Sequence, residues 1–115
     1  MKKLDGVWEI SKAILDGRTL PPEAVKPLIL TIGNSQYQVG VVDKGNLLFG
    51  GSGEVDVVGV EGPNAGKTIK AIYAIKPDLS EATICYNLSG GERPTIFLSE
   101  KGSGYFLVTY IKKNK

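Results

Sequence analysis

Along most of this chain apolar and polar residues alternate with a period of two, the pattern of strands that bury one face. Trp8 and Ile10 alternate with Val7, Glu9 and Ser11. After Ser11 the alternation blurs, so that either Lys12 turns inward or a bulge hands the inward face to Ala13 and Leu15. Leu28, Leu30 and Ile32 alternate with Ile29 and Thr31, and Tyr37, Val39 and Val41 with Gln38, Gly40 and Val42. Leu47, Phe49, Val55 and Val57 keep one parity across a glycine-rich middle, with Glu54 and Asp56 on the other; glycines inside such a run predict a bulge or sharp bend. Ile69, Ala71, Tyr73 and Ile75 oppose Lys70 and Lys76, and Ala82, Ile84, Tyr86 and Leu88 oppose Thr83, Cys85 and Asn87. A short run from Thr95 to Leu98 and a last one from Tyr105 to Lys112 complete eight predicted strands.

Turn chemistry separates these runs at Asp16-Gly17, Gly33-Asn34-Ser35, Asp43-Lys44-Gly45-Asn46, Pro77-Asp78 and Lys101-Gly102-Ser103-Gly104. Prolines frame one helical turn over residues 21–27, a plug or lid in size. Short links favour antiparallel neighbours, because parallel pairing needs long crossovers. Even spacing of alternating runs predicts an all-β meander, closed into a barrel or folded as a sandwich.

Size adds that residues 1–115 make one domain with a core large enough to need no staples. A net charge of +2 with both signs interspersed gives no reason to invoke nucleic acid or an anionic membrane. Only the tail from Lys112 to Lys115 is locally basic, as a solvated terminus would be. The single cysteine, Cys85, excludes an internal disulfide and suits a reducing compartment. Met1 to Leu4 opens like a signal peptide, but Asp5 and Gly6 stand where its apolar stretch would begin, and no run reaches the ~18 apolar residues of a membrane span. The expectation is a soluble, cytoplasmic chain.

Chemistry is sparse. The chain has no histidine, which removes Ser-His-Asp and Cys-His catalysis and the commonest transition-metal ligand. Cys85 has threonine and asparagine on its own face and no cation beside it in sequence, so it reads as an inert thiol. Glu54 and Asp56 share a strand face and read as solvated outward acids before paired catalytic carboxylates. Gly62-Pro63-Asn64-Ala65-Gly66-Lys67-Thr68 ends like a phosphate-binding loop, but its spacer is one residue short and no helical stripe follows, so it reads as a hairpin connection. No catalytic residue, metal or cofactor is expected, and the chain does not read as an enzyme.

Four segments carry a resemblance: Leu4-x-Gly6-x-Trp8, Asp16-Gly17 with the proline-rich turn after it, Gly62-Pro63-Asn64-x-Gly66-Lys67-Thr68, and Gly90-Gly91-Glu92-Arg93-Pro94-Thr95. Together they resemble a bacterial family of small lipocalin-like (calycin) domains to which no activity is assigned. The resemblance implies an eight-stranded up-and-down barrel with its helical turn near one mouth. It also implies a closed end built on Gly6 and Trp8, with a late cation packed across the indole, a role open to Arg93 or Lys112. Many members of that family carry a secretion signal; none is read at the start of this sequence, so an extracytoplasmic role is not expected.

An eight-stranded barrel is just wide enough to be filled by its own side chains or to hold one small ligand. Tyr37, Phe49, Tyr73, Tyr86 and Tyr105 are the candidate ligand-lining residues, because buried tyrosine hydroxyls need partners that a ligand or trapped water can supply. The leading functional expectation is a carrier of a small apolar molecule. The alternative is a filled barrel that docks a protein partner or inhibits an enzyme through its loops.

Overall fold

The computed structural model describes residues 4–51 and 53–113; Met1 to Lys3, Ser52, and Asn114 and Lys115 of the basic tail lie outside the described residues. The alternating runs form nine strands: β1 (Gly6–Leu15), β2 (Arg18–Thr19), β3 (Leu30–Gly33), β4 (Gln36–Val39), β5 (Asp43–Phe49), β6 (Glu54–Glu61), β7 (Thr68–Ile75), β8 (Glu81–Asn87) and β9 (Tyr105–Lys112). The proline-framed turn is α1 (Pro22–Val25), between β2 and β3. From β3 to β9 each strand pairs antiparallel with the next, β3 lies on β1, and β9 returns to β1. The result is a closed eight-stranded up-and-down barrel, to which β2 adds a two-residue flap on β1.

Two features of the pattern resolve plainly. The register of β1 on β9 shifts between Ile10 and Lys12, so a bulge at Ser11 turns Ala13 into the core at 1% exposure and leaves Lys12 outside. On β5 and β6, Leu47, Val55 and Val57 are buried and Phe49 packs against them, as the shared parity requires. The glycines between are no bend within one strand, however. They make a hairpin turn in which Gly50 N–H donates to the Glu54 carbonyl at 2.9 Å.

The segment from Thr95 to Leu98 is not a strand. β9 bonds β8 along one side and β1 along the other, so the closed sheet has no edge left for it. The eight predicted strands and the eight of the barrel therefore differ by one run split in two and one lost.

Residues 88–104 instead run as a strap over the outward face of β6 to β8. Asn87 holds its start, donating to the Glu92 carbonyl at 2.8 Å, and Pro94 of the strap is fully buried. Cys85, though outward-facing, is 0% exposed under the strap and donates weakly to the Leu98 carbonyl at 3.8 Å. Burial pushes its thiol up, which disfavours the thiolate. At the far end Ser99 Oγ donates to the Tyr105 carbonyl at 2.8 Å and accepts from Gly17 N–H at 3.1 Å.

Arg93 fastens this strap. Its guanidinium donates to Asp56 Oδ1 at 2.7 Å and to the carbonyls of Val55 and Ala71 at 3.1 and 3.0 Å, with Glu54 4.0 Å from Nε. Asp56 is thus the strap's counter-ion, shared with Lys70 at 2.9 Å, and not a freely solvated acid. Burial acts to raise its carboxyl, but the hydrogen bonds from Lys70 and Arg93 outweigh this and hold it below the ordinary value of 3.8. A depressed carboxyl stabilises the fold above its unfolded value and loses that contribution as pH falls through the folded one. Arg93→Ala is expected to cost about 1–2 kcal/mol in urea unfolding at pH 7. The stability gap between wild type and Asp56→Asn should close as pH falls below about 4. A gap that is flat from pH 7 to pH 3 would refute the ion-pair account.

Candidate functional site

The two ends of the barrel differ. Pairing of Trp8 with Lys112 marks one end, and pairing of Leu15 with Phe106 marks the other. At the first end the Trp8 indole is 1% exposed, its Nε1–H donates to the Leu4 carbonyl at 2.9 Å, and Leu4 itself is buried. Lys112 Nζ lies 5.1 Å from the centre of the indole ring, a cation–π arrangement. Gly6 makes room for it: φ is +139°, and a Cβ there would stand 3.0 Å from Lys112 Cε. The cation across Trp8 is therefore Lys112. Arg93 does not reach the closed end, because the strap carries it to the outer face of β6 and β7.

The opposite end carries α1, the β4–β5 turn, the β6–β7 turn and the first residues of the strap. From it a cavity of about 230 Å³ runs into the barrel. Its walls are aliphatic, with Leu30, Val39, Leu47, Val57, Ile69 and Ile84 prominent. Two polar clusters interrupt them. Deep inside, the hydroxyls of Tyr86 and Tyr110 lie 2.9 Å apart, and Tyr86 stacks on Phe106 with ring centres 5.9 Å apart. Toward the mouth, Tyr37 donates its hydroxyl to Asp43 Oδ1 at 3.2 Å, and Asn64 donates its amide to Asp43 Oδ2 at 3.2 Å.

Burial pushes the Tyr37 hydroxyl up to about 12, with the charge of Asp43 and its hydrogen bond adding to the effect. Tyr110 is likewise pushed up to about 12 by burial, and Tyr86 is raised by burial and then by Tyr110. All three stay protonated at neutral pH, so the interior pair offers hydroxyls and no charge. Asp43 is the one charged side chain among the described residues that line the cavity.

Of the five residues expected to line a ligand site, Tyr37 and Tyr86 line the cavity. Phe49 and Tyr73 point inward but meet edge to face, ring centres 5.7 Å apart, and lie outside the cavity lining. Tyr105 is on the outer face, opposite Asn87, and Phe106 takes the inward place opposite Tyr86. The unbroken apolar run of β9 hides this parity; only Thr109, in step with Tyr105, hints at it.

Asn64 and Asp43 are the residues that periodicity missed. Asn64 sits in a turn, where a polar residue carries no phase, and Asp43 opens β5: the chain turns at residues 40–42, so the stretch from Asp43 to Asn46 expected to turn is strand instead. The segment that ends like a phosphate loop is the β6–β7 connection, closed by Ala65 N–H to the Gly62 carbonyl at 3.1 Å and Lys67 N–H to the Asn64 carbonyl at 3.0 Å. It brings Asn64 to Asp43, and a strand follows it where a nucleotide site needs a helix.

Among the described residues, no three His, Cys, Asp or Glu side chains are grouped to hold a metal ion, and no helix is long and apolar enough to cross a membrane. Comparison with protein-family models, with curated proteins and with solved structures gives no match.

Proposed function

We propose that this chain is a non-enzymatic binding protein that takes one small, mostly apolar molecule into the open end of its barrel. The aliphatic cavity of about 230 Å³ carries the reading. A dry, apolar void of about 150 Å³ holds benzene in another protein, so this one has room for roughly six to ten non-hydrogen atoms. The absence of histidine and the raised Cys85 thiol support a role without catalysis. A lipocalin-like (calycin) kinship belongs to the same proposal, supported by the up-and-down closure and by Lys112 packed on Trp8 beside Gly6.

A panel of compounds from benzene to ten-carbon alcohols, read by thermal unfolding, tests the reading. A ligand that binds only the native state at a hundred times its Kd adds about 2.7 kcal/mol, so the melting temperature should rise clearly. Val57→Phe, which adds volume at the cavity wall, should fold and lose the shift. A melting temperature that none of the compounds moves would overturn the carrier.

One observation favours a second reading, a protein-interaction module. Ile96, Phe97 and Leu98 stand consecutively on the strap at 56%, 41% and 44% exposure, a run of adjacent apolar side chains that a partner could cover.

A further inference from the structure

The cavity is not equally suited to every apolar molecule, because its polar end carries a sign. Asp43 begins β5 just after the β4–β5 turn, whose Val41 and Val42 stand out in solvent, so it sits where a ligand's outer end would emerge. Tyr37 and Asn64 each donate to one of its oxygens at 3.2 Å, long for hydrogen bonds to a carboxylate. Two carboxylate oxygens offer about four acceptor sites, and these partners use two of them. No lysine, arginine or histidine is among the described residues lining the cavity, so nothing there would balance a ligand carboxylate.

We propose that the barrel selects small amphiphiles whose apolar body enters the cavity and whose outer end is cationic, with a primary ammonium as the simplest case, and that Asp43 is the counter-ion. This rests on the carrier reading above and names the class of ligand it would carry. An ammonium at the mouth can donate to the free acceptor sites of Asp43 while keeping part of its water, since Asp43 is itself only half-buried. That avoids the desolvation penalty of a fully buried ion pair. A fatty-acid carboxylate in the same place meets a like charge, with only the amide of Asn64 and the hydroxyl of Tyr37 to donate, and both already bond Asp43. The Tyr86–Tyr110 pair, neutral and deep, accepts or donates without preferring either sign.

The test uses three probes of one chain length at pH 7: hexylamine, hexanol and hexanoate, with affinities measured by calorimetry on the full chain. The expected order is hexylamine, then hexanol, then hexanoate, with at least about tenfold between the first and last, as a single charge pair in a partly exposed site supplies. In Asp43→Asn the amine-to-carboxylate ratio should fall to within about threefold. The ranking is read on the wild type and so does not depend on the variant folding. Hexanol binding with hexanoate equal to or tighter than hexylamine would overturn the charge selection and leave the carrier standing. A ratio that survives Asp43→Asn in a folded protein would remove Asp43 as its source. Binding of none of the three would overturn the carrier reading, and this inference with it.

Discussion

Replacing Trp8 by alanine is expected to cost the barrel about 3–5 kcal/mol, much of the ~5–15 kcal/mol that holds a domain of this size together. The indole is 1% exposed and closes one end of the barrel. Its Nε1–H satisfies the Leu4 carbonyl, and Leu4 is buried beside it, so the N-terminal segment loses its attachment along with the packing. The surrounding strands are locked into a closed ladder and cannot collapse into the void. The measurement is urea unfolding followed by circular dichroism, because Trp8 is the chain's only tryptophan and its fluorescence disappears with it. In the wild type that fluorescence should be blue-shifted and resistant to iodide. A double-mutant cycle of Trp8→Phe with Lys112→Met should give a coupling of about 0.5–1 kcal/mol, while the same cycle with Arg93→Ala should be additive. A cost below about 1 kcal/mol for Trp8→Ala, or a readily quenched indole, would refute the closed end.

Gly45→Ala is expected to be the other severe change, at about 3 kcal/mol and a fall in melting temperature on the order of 10 °C. Gly45 lies opposite Gly59 on β6 and beside Tyr37 on β4. A Cβ there would stand 2.6 Å from Tyr37 Cε2 and would overlap the Val58 carbonyl oxygen. The ring could turn aside, but the carbonyl belongs to a paired strand and cannot without breaking the β5–β6 ladder. Displacing Tyr37 also removes a donor from Asp43, so ligand-induced thermal shifts should shrink in the same variant. Gly33→Ala is the control: nothing lies within 4 Å of a Cβ there, and its effect should stay within about 0.5 kcal/mol. Equal effects of the two substitutions would show that the cost is one of glycine content in strands and not of the close approach at Tyr37.

The candidate site was legible only in part. Tyr37 and Tyr86 were visible because each sits in a clean alternation, where polar partners on the other parity fix its phase. Phe49 and Tyr73 have the correct phase, yet they fill the barrel and do not line its void. Phase says which face a residue takes and nothing about its depth along the barrel axis. Depth depends on the stagger between strands, which is set by closure of β9 onto β1. Arg93 shows the same limit. Its neighbours in sequence place it near a strand end, but its partners lie 22, 37 and 38 residues away on two other strands.

What the amino-acid sequence by itself determined is the class of element and the inward face of most strands. Side chains alternate across a pleated strand whatever it pairs with, so Trp8, Leu47, Val57, Ile84 and their like were assigned by local geometry alone. The break after Ser11 and the proline-framed turn at α1 were readable for the same reason, being local violations of a local rule. Only the tertiary structure decided that the glycines before Glu54 turn the chain, that Thr95 to Leu98 lie outside the sheet, and that Lys112 covers Trp8. It also decided that the start of β5 and the β6–β7 turn bring Asp43 and Asn64 together at the mouth. These outcomes depend on which edges remain unpaired once the barrel has closed. That is a property of the whole sheet, and it leaves no period in any one strand.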